Sequence, residues 1–93
     1  MEGSAAKKNE VPLTALKDGQ VGIVTSIKVG YGRAKGQGYR KRLMDMGFIP
    51  GTKVTVVKSA PFHGPLEVLV RSSRIILGRD VAERVFVEVV ENG

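Results

Sequence analysis

Arg40-Lys41-Arg42-Leu43-Met44-Asp45-Met46-Gly47-Phe48-Ile49-Pro50-Gly51-Thr52-Lys53-Val54-Thr55-Val56-Val57 is the stretch on which the fold turns. Arg40 to Met46 permits a helix, and Leu43 and Met46, three residues apart, share one face of it. Gly47 supplies the left-handed residue that commonly stops a helix. Pro50-Gly51 then turns the chain, and Val54 and Val56 alternate with Lys53, Thr55 and Val57 as in a strand buried on one side. A short helix is thus delivered by a glycine stop directly into a half-buried strand.

Upstream, Leu13 to Leu16 followed by Lys17-Asp18-Gly19 reads as one helical turn closed by a glycine-containing turn. Val21, Ile23, Thr25 and Ile27 are placed on one face of a first strand by the two-residue repeat, with Gly22 leaving room for a neighbouring chain segment. Gly30 to Gly38 holds four glycines and reads as a mobile loop between that strand and the helix. Downstream, Ala60 to Pro65 is a loop or wide hairpin connection into a strand in which Leu66, Val68 and Val70 alternate with Glu67, Leu69 and Arg71. Ser72-Ser73 is read as a tight connection, and Arg74 to Leu77 as a strand stopped by Gly78. Asp80 and Glu83 stand at capping-box spacing, which predicts one helical turn, and Val85 to Val90 closes the chain as a last strand. The fold class is therefore mainly β: a small barrel of about five strands, a short helix after strand one and a helical turn before the last strand. Closure of this kind hides sheet edges in so small a domain.

Ninety-three residues, 42% hydrophobic, suffice for one core and not two. Residues 1–11 are read as a disordered tail and residues 12–91 as the domain. With no Trp, two Tyr and three Phe, branched aliphatics must build the core, which favours strands. No apolar run approaches the roughly 18–20 residues of a membrane span, and Met1 to Glu10 lacks the apolar centre of a signal peptide. A soluble, cytoplasmic protein is expected, in keeping with the lack of cysteine.

The same composition argues against catalysis. His63 is the only histidine, so without Cys there is no Cys-His pair, and nothing resembles a nucleophile elbow. Glu67 and Glu88 read as exposed strand residues, not as a paired acid and base. One His and scattered acids make a tight intrinsic iron site an unfavourable expectation, and no cofactor is implied.

The formal charge of +6 is concentrated: Lys28, Arg33, Lys35, Arg40, Lys41 and Arg42 lie in one segment without an acid, while the rest of the chain balances. Such a segment can steer an acidic partner, a phosphate or a nucleic acid. Its glycines do not fit a nucleotide-binding loop. Tyr31 and Tyr39, interleaved with the basic residues, leave open a small barrel that binds nucleic acid. For a protein partner, Arg40, Lys41, Met44 and Phe48 are the candidate contacts, an apolar anchor ringed by basic residues, with Lys28, Arg33 and Lys35 as the basic loop. A buried Phe48 closing the barrel is the alternative.

From Pro12 to about Val90 the chain is similar to the FeoA family. The residues that carry the resemblance are Leu13, Leu16, Gly19 and Gly22; Arg42-Leu43 with Met46-Gly47-Phe48, Pro50-Gly51 and Val54; Ala60-Pro61 with Gly64-Pro65; and Val70-Arg71, Arg74-Ile75, Leu77-Gly78-Arg79 with Ala82. The resemblance implies an SH3-like barrel, cytoplasmic, that assists and modulates FeoB, a membrane ferrous-iron transporter whose N-terminal part is a GTP-binding domain. Two features depart from the pattern: the long glycine-rich loop 30–38, and Ser72-Ser73 where a glycine is expected. A similar barrel ends the metal-dependent transcriptional repressors, which makes a metal-responsive regulatory module a further alternative.

Overall fold

The computed structural model describes residues 10–28 and 35–90, with the backbone but not the side chains of residues 35–37 and 39. Six strands form one antiparallel sheet: β1 (Glu10–Pro12), β2 (Val21–Ile27), β3 (Lys53–Ser59), β4 (Leu66–Val70), β5 (Ser73–Leu77) and β6 (Val85–Val89). Their order across the sheet is β1-β6-β2-β3-β4-β5. A 3-10 turn, Leu13–Ala15, follows β1, helix α1 (Lys35–Asp45) follows β2, and the single turn α2 (Arg79–Ala82) precedes β6. This is the barrel expected from the sequence, with one more strand.

The extra strand is β1. Glu10 and Val11, both within the expected tail, and Pro12 pair with Glu88, Val87 and Phe86 of β6. Side chains reinforce the pairing: Thr25 Oγ1 lies 2.6 Å and Ser26 Oγ 3.0 Å from Glu10 Oε2. A three-residue strand ending in Pro carries too little pattern to be read ahead of time. The remainder of the expected tail, residues 1–9, and Glu91 lie outside the described residues.

Two bulges curl the sheet. In β2 the register with β6 shifts between Val24 and Ser26, and in β3 the register with β4 shifts between Val56 and Lys58. Each extra residue bends its strand and increases the local twist, as closure around a core requires. The first bulge also corrects the expected face of β2. Gly22, Val24 and Ile27 are the buried positions, whereas Val21, Ile23 and Thr25 are only half-buried. Glycine shows no apolar side chain to count as inward-facing, and the bulge at Thr25 breaks the two-residue repeat.

Helix α1 starts earlier than Arg40, so that residues 35–38 of the expected loop are helical, while residues 29–34 lie outside the described residues. Its end is as expected. Gly47 has φ +111°, its N–H donates to the Met44 carbonyl at 3.0 Å, and the Phe48 N–H donates back to the Leu43 carbonyl at 3.1 Å. These two bonds are the paired closures of a Schellman stop, which usually brings an apolar residue beyond the glycine against one in the last turn. Here those residues are Phe48 and Leu43, both buried. The chain after it is bound to β2 from both directions: Gly51 N–H donates to the Val24 carbonyl and Val24 N–H to the Thr52 carbonyl, at 2.8 and 2.9 Å.

The tight connection between β4 and β5 is Arg71-Ser72, one residue earlier than expected, and Ser73 belongs to β5. Both turn residues have positive φ, +51° and +73°, as a two-residue hairpin turn of the primed kind demands. The expected capping box is absent. Helix α2 begins at Arg79 with Gly78 in the capping position and no side-chain cap, so Asp80 lies within its first turn and Glu83 at its end.

The core is aliphatic except for one ring. Leu13, Val24, Leu43, Val54, Val56, Leu66, Val68, Val70, Val85 and Val87 surround Phe48, and no polar or charged side chain is buried among the described residues. Gly22 lies against this core, where an added Cβ would stand 2.7 Å from Val87 Cγ2. Gly22→Ala is expected to lower the unfolding free energy by about 1–3 kcal/mol through overpacking, measured by urea denaturation. Ser72→Gly is expected to raise it by about 0.5–1 kcal/mol, since only glycine adopts this left-handed conformation without steric cost.

Candidate functional site

Two surfaces stand out, at opposite ends of β3. The first is α1 with the turn that leads into β3. Arg40, Lys41 and Arg42 are exposed, Met44 is half-buried against the core, and Leu43 is buried. Phe48, a candidate contact, is wholly buried, so it closes the barrel from inside and offers nothing to a partner. The physical reason is the helix stop, which folds the residue after Gly47 back over the last turn. Of the candidate basic loop, Lys28 is exposed and its Nζ lies 4.5 Å from the centre of the Phe86 ring, a cation–π distance. Arg33 lies outside the described residues, as does the Lys35 side chain. The structure therefore brings Arg40, Lys41 and Met44 together on one helix without the expected aromatic anchor.

The second surface is the loop between β3 and β4. Gly64 N–H donates to the Pro61 carbonyl at 3.1 Å, and Ala60 N–H donates to the Pro65 carbonyl at 3.0 Å, which pinches the base of the loop. Arg79 Nε donates to the Gly64 carbonyl at 3.2 Å and braces it from α2. At the tip Phe62 and His63 both have left-handed backbone, φ +58° and +60°. Two non-glycine residues in succession in that region cost on the order of 1–3 kcal/mol each, strain that clusters at ligand-contacting segments. The Phe62 ring points into solvent with 95% of its surface exposed.

Beside the loop lies an open hollow of about 290 Å³, with Ala60, Pro61, Pro65, Leu66 and Ile76 as its apolar lining and Lys58 and Glu67 at its rim. Ile76 on β5 is 64% exposed. Glu67 is engaged by Arg74 across the strand pair, Nη1 to Oε2 at 2.7 Å. Phe62 was not foreseen as a contact. The signal available in the sequence was a phenylalanine inside the proline- and glycine-bounded run 60–65, a place where burial is hard to achieve.

His63 is exposed on a loop tip, and among the described residues no three His, Cys, Asp or Glu side chains gather as a metal-holding group. No helix among the described residues is long and apolar enough to cross a membrane.

The fold defines a small SH3-like barrel whose loop 60–65 and β5 edge are exposed. Residues 11–89 match the family model described as the FeoA domain, and the chain belongs to the FeoA family. A putative Fe(2+) transport protein A of Methanocaldococcus jannaschii is 33% identical over 82 residues, 88% of this chain and 90% of the relative. A Porphyromonas gingivalis protein in which Fe(2+) transport protein A is fused to the Fe(2+) transporter FeoB is 34% identical over 61 residues. That match spans 64% of this chain and 7% of the fusion protein. In structure the chain is similar to zinc-complexed FeoA of Stenotrophomonas maltophilia, described as a prokaryotic SH3 domain protein, with TM-score 0.71 and 29% identity over 84% of this chain and 89% of that one.

The two phenylalanines separate packing from contact. Phe48→Ala is expected to lower stability by about 3–5 kcal/mol, whereas Phe62→Ala is expected to shift it by no more than about 0.5 kcal/mol. Urea unfolding midpoints of the two variants measure the contrast.

Proposed function

We propose that this chain is an accessory module of ferrous-iron uptake that modulates a FeoB-type transporter by binding its cytoplasmic part, and has no chemistry of its own. The observation that carries the reading is the Porphyromonas gingivalis fusion, in which a segment similar to this chain shares one polypeptide with the transporter. Fusion holds two modules at high effective concentration, which is useful where they act in contact. Where the two modules are not fused, the contact has to come from the surface of the module itself.

Phe62 is the anchor we assign to that contact. An exposed aromatic on a braced loop can be desolvated with little loss of backbone entropy, and aromatic anchors dominate many protein interfaces. The basic edge of α1, Arg40 and Lys41, is at the far end of β3. Seven strand residues separate the two surfaces, roughly 20 Å at about 3.3 Å per residue. The helix edge then acts through long-range steering of an acidic surface, an effect that salt screens.

Titration calorimetry of the chain against its own host's transporter, full-length and as the isolated GTP-binding part, tests this. Phe62→Ala is expected to weaken binding by tenfold or more, about 1.4 kcal/mol. Arg40→Ala with Lys41→Ala is expected to weaken it by less than about threefold and chiefly at low salt. Absence of binding to either transporter form, with salt-sensitive binding to a random RNA pool, would overturn the proposal in favour of a nucleic-acid-binding barrel.

A further inference from the structure

β5 ends the sheet and pairs only with β4 among the described strands. The two-residue turn at Arg71-Ser72 makes Val70 and Ser73 a hydrogen-bonded pair, and alternation from there directs the backbone groups of Ser73, Ile75 and Leu77 toward β4. The N–H and C=O groups of Arg74 and Ile76 therefore face the open edge. Natural edges are commonly guarded by proline, bulges or outward charge. β5 has no proline and no bulge against β4, its Arg74 is drawn across to Glu67, and Ile76 is largely exposed.

We propose that this edge pairs antiparallel with β5 of a second copy of the chain, about a two-fold axis at Ile76, and that the protein self-associates as a symmetric dimer through it. Three registers bring the edge-facing groups of two β5 strands together, and charge selects among them. An axis at Arg74 sets the two Arg74 side chains against each other, an unfavourable like-charge pair. An axis at Ile75 sets Arg74 against Ile76. With the axis at Ile76, the two Ile76 side chains form a cross-strand β-branched pair, and Arg74 of each copy faces Gly78 of the other.

Gly78 is what makes this register complementary. Its backbone is still extended, φ −62° and ψ 155°, and it carries no side chain. A Cβ added at Gly78 would stand 3.2 Å from Asp80 Oδ1. A carboxylate thus lies beside the place of the strand's next outward side chain. Directly opposite strand positions are about 4.5–5.5 Å apart at Cβ, so Arg74 of each copy, which in the single chain holds Glu67, comes within reach of Asp80 of the other, twice by symmetry. The apolar linings beside Ile76 become continuous across the axis. A contact made by one short strand is small, and the dimer belongs to the weak, reversible class.

Sedimentation velocity of the full chain, from micromolar to about 1 mM, tests the proposal. A reversible dimer is expected, with Ile76→Lys raising its dissociation constant by tenfold or more. Arg74→Asp and Asp80→Arg are each expected to weaken it about fivefold, and the double variant R74D/D80R to recover at least half of that loss, the remainder being the pair with Glu67 that R74D also breaks. The chain has no cysteine, so Ile76→Cys gives an independent reading: it should cross-link to a dimer on mild oxidation, whereas Lys17→Cys should not. A chain that stays monomeric throughout, a dimer insensitive to Ile76→Lys, or a charge reversal that fails to recover would overturn the proposal, the first leaving the edge to a strand of another protein. None of these readouts involves the transporter, so they stand or fall apart from the function proposed above.

Discussion

The closure at Gly47 is the constraint on which the rest of the structure depends. Two backbone bonds, Gly47 to Met44 and Phe48 to Leu43, end α1 and in the same step turn the Phe48 ring into the centre of the barrel. The left-handed glycine permits this in two ways. Its φ of +111° suits no other residue well, and an added Cβ would stand 2.9 Å from Val70 Cγ1. Helix, core ring and β3 are placed together, because β3 begins only a few residues beyond the stop and is tied to β2 through Gly51 and Thr52.

The strands then close around that ring by bending at defined points. The bulges at Thr25 and Val57 let β2 and β3 each contribute to two parts of the curved sheet. Thr25, the extra residue of the first bulge, has its hydroxyl directed at the Glu10 carboxylate and within 3.2 Å of the Phe86 carbonyl, so it also holds β1 and β6 in place. Among the described residues no buried polar network specifies the barrel. Its uniqueness rests on turn geometry, bulges and the fit of valines, leucines and isoleucines around a single phenylalanine.

The surfaces follow from the same economy. Phe48 fills the core, whereas the loop between β3 and β4 carries Phe62 to the outside on strained backbone braced by Arg79. The helix that carries the candidate contacts has an exposed basic edge, but Phe48, the aromatic among those candidates, is turned inward. Under the function proposed above, such a module works through what its loops and edges display, and the barrel serves to hold them still.

The amino-acid sequence by itself determined the class of fold, the helix stop at Gly47, the half-buried alternation of β3 and β4 and the segregation of basic charge, because each of these is a local property of spacing and backbone preference. Only the tertiary structure decided the inward face of β2, the pairing of β1, the true turn at Arg71-Ser72 and the exchange of roles between Phe48 and Phe62. Bulges cancel the two-residue repeat without a mark in the sequence, and glycine at an inward position is silent in any count of apolar residues. A phenylalanine beside a turn has no local signal of which way it faces. That choice is made by the surroundings: the helix stop turns Phe48 into the core, and the pinched loop 60–65 holds Phe62 outside it.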